Sequence, residues 1–417
     1  MKIVETKFKE TEIGIIPEEW DIVNINEALN IIDGDRGSNY PHGSDFSDKD
    51  YCLFLNAKNV CGDSFNFSNS QFISQSKDAE LRKGKMQKGD FVLTTRGTVG
   101  NVAFYDETIP FENMRINSGM VILRNNKDFD SKYLFQLLKS WITKKQIVEL
   151  TTGSAQPQLP IRDLKNLKII RPTIEEQKQI AEIISSLDDK IELNRKINAN
   201  LEKIASILFK KWFVDIGDRL LEEWKVAKFT DVVEVMSGGT PKTNAYQYWN
   251  GNIPFFTPKD ADDSVYVLGT EKYITQDGLK SCNSPLYPID TTFITARGTV
   301  GKVAMAGVPM AMNQSCYALR GKDDTDPYFV YELTKMTAEE LKQKAHGSVF
   351  STITISTFAQ VSFPFPDLDL IKKYETTVSP LFEKIKKNGQ ENEELILIRD
   401  SLLPRLMSGK IRVKIKL

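Results

Sequence analysis

Residues able to do covalent chemistry are sparse in this sequence. His42 and His346 are its only two histidines and lie far apart, and Cys52, Cys61, Cys282 and Cys316 never fall into a CxxC spacing. That pattern argues against a zinc site and against a disulfide framework. Gly238-Gly239-Thr240 with Lys242 approaches a phosphate-binding loop, but the GxxxxGK[ST] spacing is missing. No GxGxxG follows a strand pattern, no HExxH occurs, and the Asp/Asn-Pro-Pro-aromatic tetrapeptide of amino-methyltransferases is absent. Asp260, Asp262 and Asp263 read as surface carboxylates, since no histidine accompanies them. No catalytic constellation emerges, and the chain is expected to hold no metal and no cofactor.

Arginine offers the better chemistry. The block TTRGTVGNVAFY (Thr94 to Tyr105) returns as TARGTVGKVAMA (Thr295 to Ala306), each after a β-rich run. Such a block reads as strand, tight glycine turn, strand. It presents Arg96 and Arg297 on the turn. A guanidinium can clamp a phosphate or make a bidentate contact to guanine, and flanking glycines let backbone approach DNA closely. The alternative is a turn whose Arg pairs with a neighbouring carboxylate. Because the block is the same in both copies, it suits a shared role, framework or phosphate contact, better than base reading.

The loops between the repeated blocks differ. DGDRGSNYPHGSDFSDKDY (Asp33 to Tyr51) stands where the second copy has SGGTPKTNAYQYWNGNIPFFTPKD (Ser237 to Asp260). These Gly-, Ser-, Asn- and aromatic-rich stretches suit adaptable polar contacts. From them, Arg36, Ser38, Tyr40, Lys58, Ser237, Thr240, Lys242, Tyr246 and Lys259 are expected near a ligand, together with Arg96 and Arg297.

The elements that must position these loops are also duplicated. INSGMVILR (Ile116 to Arg124) aligns with MNQSCYALR (Met312 to Arg320), each followed by a helical segment, a Gly-Ser loop and a short strand. Glu19-Trp20 near the start of the first copy matches Glu223-Trp224 in the second. Then comes an amphipathic helix in each copy. Ile180, Leu187, Leu201 and Leu208 recur by sevens with Asn194 interrupting, widened by Ile183, Ile184, Ile191, Ile197 and Ile204. Shifted by 194 residues, the series returns as Tyr374, Leu381, Asn388, Leu395 and Leu402, flanked by Val378, Ile385 and Ile398. Pro172 and Pro366 suit the helix entrances. Pro380 and Gly389 should weaken or bend the second helix. A helix of about forty residues is roughly 60 Å long, too long for one compact domain to bury, so each should pack on the other. In an antiparallel pair Asn194 and Asn388 would meet near the axis and fix register; otherwise each lies on the exposed edge of its stripe. The expected fold is α+β, two pseudo-symmetric globular units separated by two long helices packed as an antiparallel coiled coil.

A chain of 417 residues with 41% hydrophobic and 27% charged residues is ordinary globular material. No run approaches a membrane span and the N-terminus lacks a signal-peptide core, so a soluble, cytoplasmic protein is expected. The net charge of -1 argues against coating nucleic acid through a global positive field. Local basic surfaces remain open: Arg82, Lys83, Lys85 and Lys88 cluster, and the terminal RLMSGKIRVKIKL carries five basic residues and no acid.

These pieces, in this order and duplicated, resemble the specificity subunit of type I restriction-modification systems: GIIPEEW, SGGTPKT with YWNGNIPFFTPKD, the paired RGTVG turns and EEQKQIAEIISSLDDKIELNRK. The likeness covers essentially the full length. It implies a target-recognition domain over 1–171, a central spacer helix over 172–216, a second target-recognition domain over 217–365, and a distal spacer helix with basic tail over 366–417. It also implies a non-catalytic subunit reading a bipartite double-stranded DNA target, with half-sites about one helical turn apart, about 34 Å. Helix length would then set the spacer. The partners implied are two modification subunits, which bind S-adenosylmethionine and methylate adenine, and two restriction subunits with motor and nuclease activity, using ATP and Mg; a methyltransferase-only system fits the same chain. Two other classes compete: a coiled-coil scaffold that never touches DNA, favoured by the neutral charge, and a nucleic-acid-modifying enzyme, disfavoured by the missing site.

Overall fold

The computed structural model describes residues 6–126, 128–153, 155–215, 224–323, 325–344 and 352–413. Ser154, Gly347 and Ser348 of the Gly-Ser loops, Glu223 and the last basic residues, Lys414 and Lys416, lie outside the described residues. The chain forms two compact units, Met1–Asp189 with Ile396–Leu417, and Lys190–Leu395. The two long helices, Ile174–Phe213 and Leu368–Met407, each contribute to both units. No helix among the described residues is long and apolar enough to cross a membrane.

In the first unit, a four-stranded antiparallel sheet runs in the order Val102–Phe104, Phe91–Thr94, Met120–Asn125, Leu29–Asp33. Its central strands are apolar on both faces because both faces are covered. Side chains alternate along a strand. Phe91, Leu93, Val121 and Leu123 therefore pack on Tyr133, Leu134 and Leu137 of the helix Ser131–Lys139, and on Ile180 and Ile184 of the first long helix. Val92, Met120 and Ile122 point the other way, onto the layer formed by Cys52–Leu55 and Met114–Ile116, which pair in parallel.

The second unit repeats the plan. Val233–Ser237, Cys316–Gly321, Thr292–Thr295 and Val303–Ala306 follow one another, and Tyr266–Val267 adds a parallel edge strand. Ile294, Met305 and Leu319 face Tyr328, Phe329, Ile371 and Tyr374, while Phe293, Ala304 and Ala318 face the opposite layer.

The first unit is completed by the far end of the chain. Leu406 and Met407 lie in its core. Arg412 donates to Glu19 (2.5 Å) and Glu176 (3.1 Å from Nε), and its guanidinium lies 5.7 Å from the Trp20 ring centroid. Trp20 Nε1 donates to the other Glu176 oxygen at 3.0 Å. Gly409 turns the chain at φ +68°, where a Cβ would fall 2.4 Å from Pro17 Cγ. Only glycine fits there.

Within each unit the long helices run antiparallel. In the first, Arg399 Nη1 meets Asp188 at 2.9 Å; in the second, the Tyr374 hydroxyl reaches the Ala205 carbonyl at 3.3 Å. Helical structure continues through Pro380 and Gly389. Three residues of the expected stripe are corrected: Ile183, Ile204 and Ile398 are exposed. Ala181, Ala205 and Phe209 are buried instead. The asparagine expectation is also corrected. Asn194 and Asn388 are both 1% exposed, yet they do not bond to each other. Asn194 Nδ2 donates to Asn392 Oδ1 (2.9 Å) and Glu391 (2.8 Å), and Asn388 Nδ2 donates to Asn198 Oδ1 (2.8 Å). Asn198 and Asn392 stand one helical turn beyond the expected positions, related by the same shift of the repeat. These bonds pair the Nδ2 groups of both buried amides, while Asn388 Oδ1 has no hydrogen-bond partner among the described residues.

Candidate nucleic-acid interface

The RGTVG blocks are hairpins built the same way twice. Thr94 Oγ1 accepts the Asn101 amide (3.0 Å) and donates to the Thr98 carbonyl; Thr295 does the same with Lys302 (2.9 Å) and Thr299. Gly97 and Gly100 take φ +75° and +94°, and Gly298 and Gly301 both take +80°, a region side-chain-bearing residues avoid. The turn therefore holds its shape without Arg96 or Arg297. Both side chains are exposed and, among the described residues, neither makes an ion pair. The pairing of these arginines with a carboxylate is not observed.

A three-residue loop braces each turn. In the first unit, the Gly119 carbonyl accepts the amides of Thr95 (2.8 Å) and Arg96 (3.1 Å), and the Asn117 side chain accepts the Gly119 amide (2.9 Å). In the second, the Ser315 carbonyl accepts Ala296 (2.8 Å) and Arg297 (3.2 Å), and Asn313 accepts Ser315 (3.0 Å). The glycine-rich loop presses on the same brace. A Cβ on Gly34 would sit 2.2 Å from the Asn117 carbonyl oxygen, and one on Gly238 would sit 2.2 Å from that of Met312.

This framework brings several of the expected residues together. Arg36 Nη2 lies 3.5 Å from the Ser118 carbonyl and 3.2 Å from Asp33. Tyr40 is half-buried; burial raises its hydroxyl pKa, and hydrogen bonding with Ser118 opposes that rise. Thr240 Oγ1 donates to Gln314 Oε1. Lys58 and Lys259 occupy the same place on matched turns, capped by Asn59 (2.9 Å to the Asn56 amide) and Asp260 (2.8 Å to the Thr257 amide). Lys259 also approaches Glu271 at 3.8 Å. Ser237 is exposed, and its carbonyl accepts the Tyr287 hydroxyl (3.0 Å). Others stand apart: among the described residues, the Ser38 hydroxyl bonds just its neighbour Asn39 (3.4 Å). The Lys242 carbonyl takes the Trp249 indole (3.1 Å), and Tyr246 is 86% exposed. Among the described residues, no hydrogen bond links Lys242 or Tyr246 to the Gln314 loop.

The basic cluster divides. Lys85 is tied to Asp78 (2.6 Å), and Lys88 bonds the carbonyls of Asp106 and Ile109 (2.8 and 2.7 Å). Arg82 and Lys83 are exposed and, among the described residues, make no ion pair. They line a cleft of about 510 Å³ with Asp33, Asp35, Arg36 and Glu80. The Asp35 carboxyl is held below the usual carboxylate range chiefly by the Gly37 amide, against the opposing effect of burial. The segment is fixed from beneath by Arg115, 6% exposed, which donates to the carbonyls of Asp78, Leu81 and Lys83 (2.7, 3.0 and 2.7 Å).

Asp260, Asp262 and Asp263 each have a structural partner: the Thr257 amide, the Ser264 amide (2.8 Å) and Lys302 (3.6 Å). Among the described residues, no group of three His, Cys, Asp or Glu is arranged to hold a metal. The site is a pair of polar, glycine-supported surfaces suited to contact with a polyanion.

A profile of the type I restriction modification DNA specificity domain matches residues 17–203 and again 221–396. The chain belongs to that family. Two specificity domains thus lie in tandem, in keeping with the internal repeat, and the chain is a non-catalytic specificity component that recognises a DNA target. The type I restriction enzyme MjaIX specificity subunit of Methanocaldococcus jannaschii is 28% identical, with 98% of each chain covered. The HindI specificity subunit of Haemophilus influenzae is 26% identical over 91% of this chain and 98% of its own. The type I S subunit from M. genitalium shares the fold, with a TM-score of 0.56 at 18% identity, covering 93% of this chain and 96% of that one.

In the specificity domains, sequence reasoning missed Ser118 and Gln314, at the tip of the bracing loop. The signal was present: INSGM and MNQSC align, and the residue after the shared Asn differs.

Proposed function

We propose that each specificity domain reads one half of a bipartite double-stranded DNA target, and that the two long helices dock modification subunits. The observation that carries this reading is the repeated framework: one hairpin, one brace and one glycine loop occur twice, with unlike side chains exposed on them. Repetition of the frame suits a common task on the DNA backbone, and divergence at its tips suits different base sequences. Arg96 and Arg297 would hold phosphate on each half-site, with Lys58 and Lys259 beside them. Arg36, Ser38, Tyr40, Ser237, Thr240, Lys242 and Tyr246 would lie along the duplex, with Arg82 and Lys83 adding local positive charge in the first domain.

Apolar residues left exposed on the helices support docking. Leu193, Ile204 and Ile207 are 46–54% exposed on the first helix in the second unit, and Leu397 and Ile398 are 70% and 47% exposed on the second helix in the first unit. Such side chains on long helices suit a protein partner. Two modification subunits, and two restriction subunits in a complete complex, would supply the chemistry with S-adenosylmethionine, ATP and Mg.

The test is co-expression with the modification subunit of the same operon in a methylation-free host, followed by mapping of methylated adenine across the genome. A single motif of two fixed halves and a fixed spacer is expected. A soluble complex that leaves the genome unmethylated would count for the scaffold reading instead.

A further inference from the structure

The bracing loops, Asn117-Ser118-Gly119 and Asn313-Gln314-Ser315, keep the same backbone bonds but carry unlike residues at the tip, and resting on the half-site reading above, we infer that Gln314 reads an adenine in the target half of the second domain. The frame is matched bond for bond. Asn117 donates its amide to Leu55 (2.9 Å) as Asn313 does to Phe256 (3.0 Å), and Leu159 donates to Thr95 (2.9 Å) as Ile353 does to Ala296 (3.0 Å). Together with the two asparagine braces, these bonds fix the backbone of the tip independently of its side chain. The tip is Ser118 in one domain and Gln314 in the other.

Gln314 is exposed but held in place. Thr240 Oγ1 donates to its Oε1, and Thr240 is itself set by glycines. Gly239 donates its amide to the Met312 carbonyl (3.0 Å), and a Cβ there would lie 2.6 Å from the Asn283 amide nitrogen. A carboxamide oxygen has two lone pairs. With one taken by Thr240, the other remains beside the free NH₂ group, giving an acceptor and a donor in one plane. That pair matches the N6 donor and N7 acceptor of adenine in the major groove. A side chain anchored before binding also loses less freedom on contact. In the first domain the same place holds Ser118, flanked by Arg36 and Tyr40, so the two half-sites are read by different groups on one scaffold.

The test uses the full chain in its methyltransferase complex and the same genome-wide motif map. Gln314→Glu keeps the shape and the Thr240 bond but replaces the donor with an acceptor, which suits the N4 amine of cytosine. The expected result is one adenine of one half-site replaced by cytosine, with the other half unchanged. Gln314→Ser should make that position degenerate, lowering the preference about 5- to 150-fold, the equivalent of ~1–3 kcal/mol for a bidentate pair. A Gln314→Ser complex methylating the parental motif to the parental extent would overturn the inference and leave the bipartite reading standing. Loss of all methylation in both variants, in complexes that assemble and melt like the parent, would also overturn it, making Gln314 a support for the loop. A parent with no two-part motif removes the bipartite reading, and this inference with it.

Discussion

Asn194 bonds to Asn392, at 2.9 Å, across the antiparallel helices, and Asn388 bonds to Asn198, at 2.8 Å. The shift of the repeat exchanges these two pairs. Asn388 Oδ1 is buried with no hydrogen-bond partner. Among the described residues, its Nδ2 bond to Asn198 is therefore what offsets the cost of burying this polar group. Asn388→Ala removes that bond and strands the Asn198 amide oxygen, so it should lower stability by about 1–3 kcal/mol. Replacing Asn198 and Asn388 together by Leu should recover most of the loss while relaxing helix register. Chemical denaturation of the single and double variants measures both effects.

Arg96→Ala and Arg297→Ala should each weaken binding to every DNA sequence alike, because their turns are held by backbone and glycine. The slope of log affinity against log salt should flatten by about 1 for each. Titrations of the complex at several salt concentrations, on target and non-target duplexes, check this. A loss confined to the target duplex would assign the arginine to a base.

Glu332 in the second unit is 3% exposed and accepts from Ser206 Oγ at 2.9 and 3.0 Å. Burial pushes its carboxyl pKa up to about 7, with Lys335 only partly offsetting this. A raised folded-state pKa favours the protonated form. The stability it contributes is full below about pH 4.5 and is lost as pH rises through about 7. Glu332→Gln should therefore stabilise the chain at pH 8, by roughly 2–3 kcal/mol, and change little at pH 5. Thermal melts at the two pH values are the measurement.

Arg115 organises the segment that presents Arg82 and Lys83, through three carbonyls and Asp78. Arg115→Ala leaves these buried acceptors unmet and should cost about 3 kcal/mol. Arg82→Ala with Lys83→Ala should leave melting unchanged and reduce the salt slope of DNA binding instead. Contrasting the two variants separates support from contact.

Much of this organisation was legible in the chain. The hairpins around Arg96 and Arg297 could be read because a tight turn needs glycine at particular positions, and sequence records that need directly. The long helices were readable from their repeat. The exposure of Ile183 and Ile204 was not, because a seven-residue series drifts around a helix of 3.6 residues per turn and the globular units, not only the partner helix, choose the buried face. The asparagine partners were off by one turn for a related reason: symmetry requires the two pairs to be exchanged but does not place a residue on the axis. Ser118 and Gln314 were hidden because they sit inside a block whose other residues are framework. A tip residue and a brace residue look alike until the backbone bonds are known.

The tie from Arg412 to Glu19 and Glu176 has a consequence for how the protein is made. Residues 190–395 of the second unit are consecutive in the chain, whereas the first unit needs residues 396–413 to fill its core. Synthesis proceeds from the N-terminus, and domains generally fold as units when their residues are available. The unit that emerges first from the ribosome is therefore finished last, after the other has all its residues. A chain interrupted near residue 395 retains all of residues 190–395 but leaves the first unit with an open core, so unequal loss of the two units is built into the order of translation.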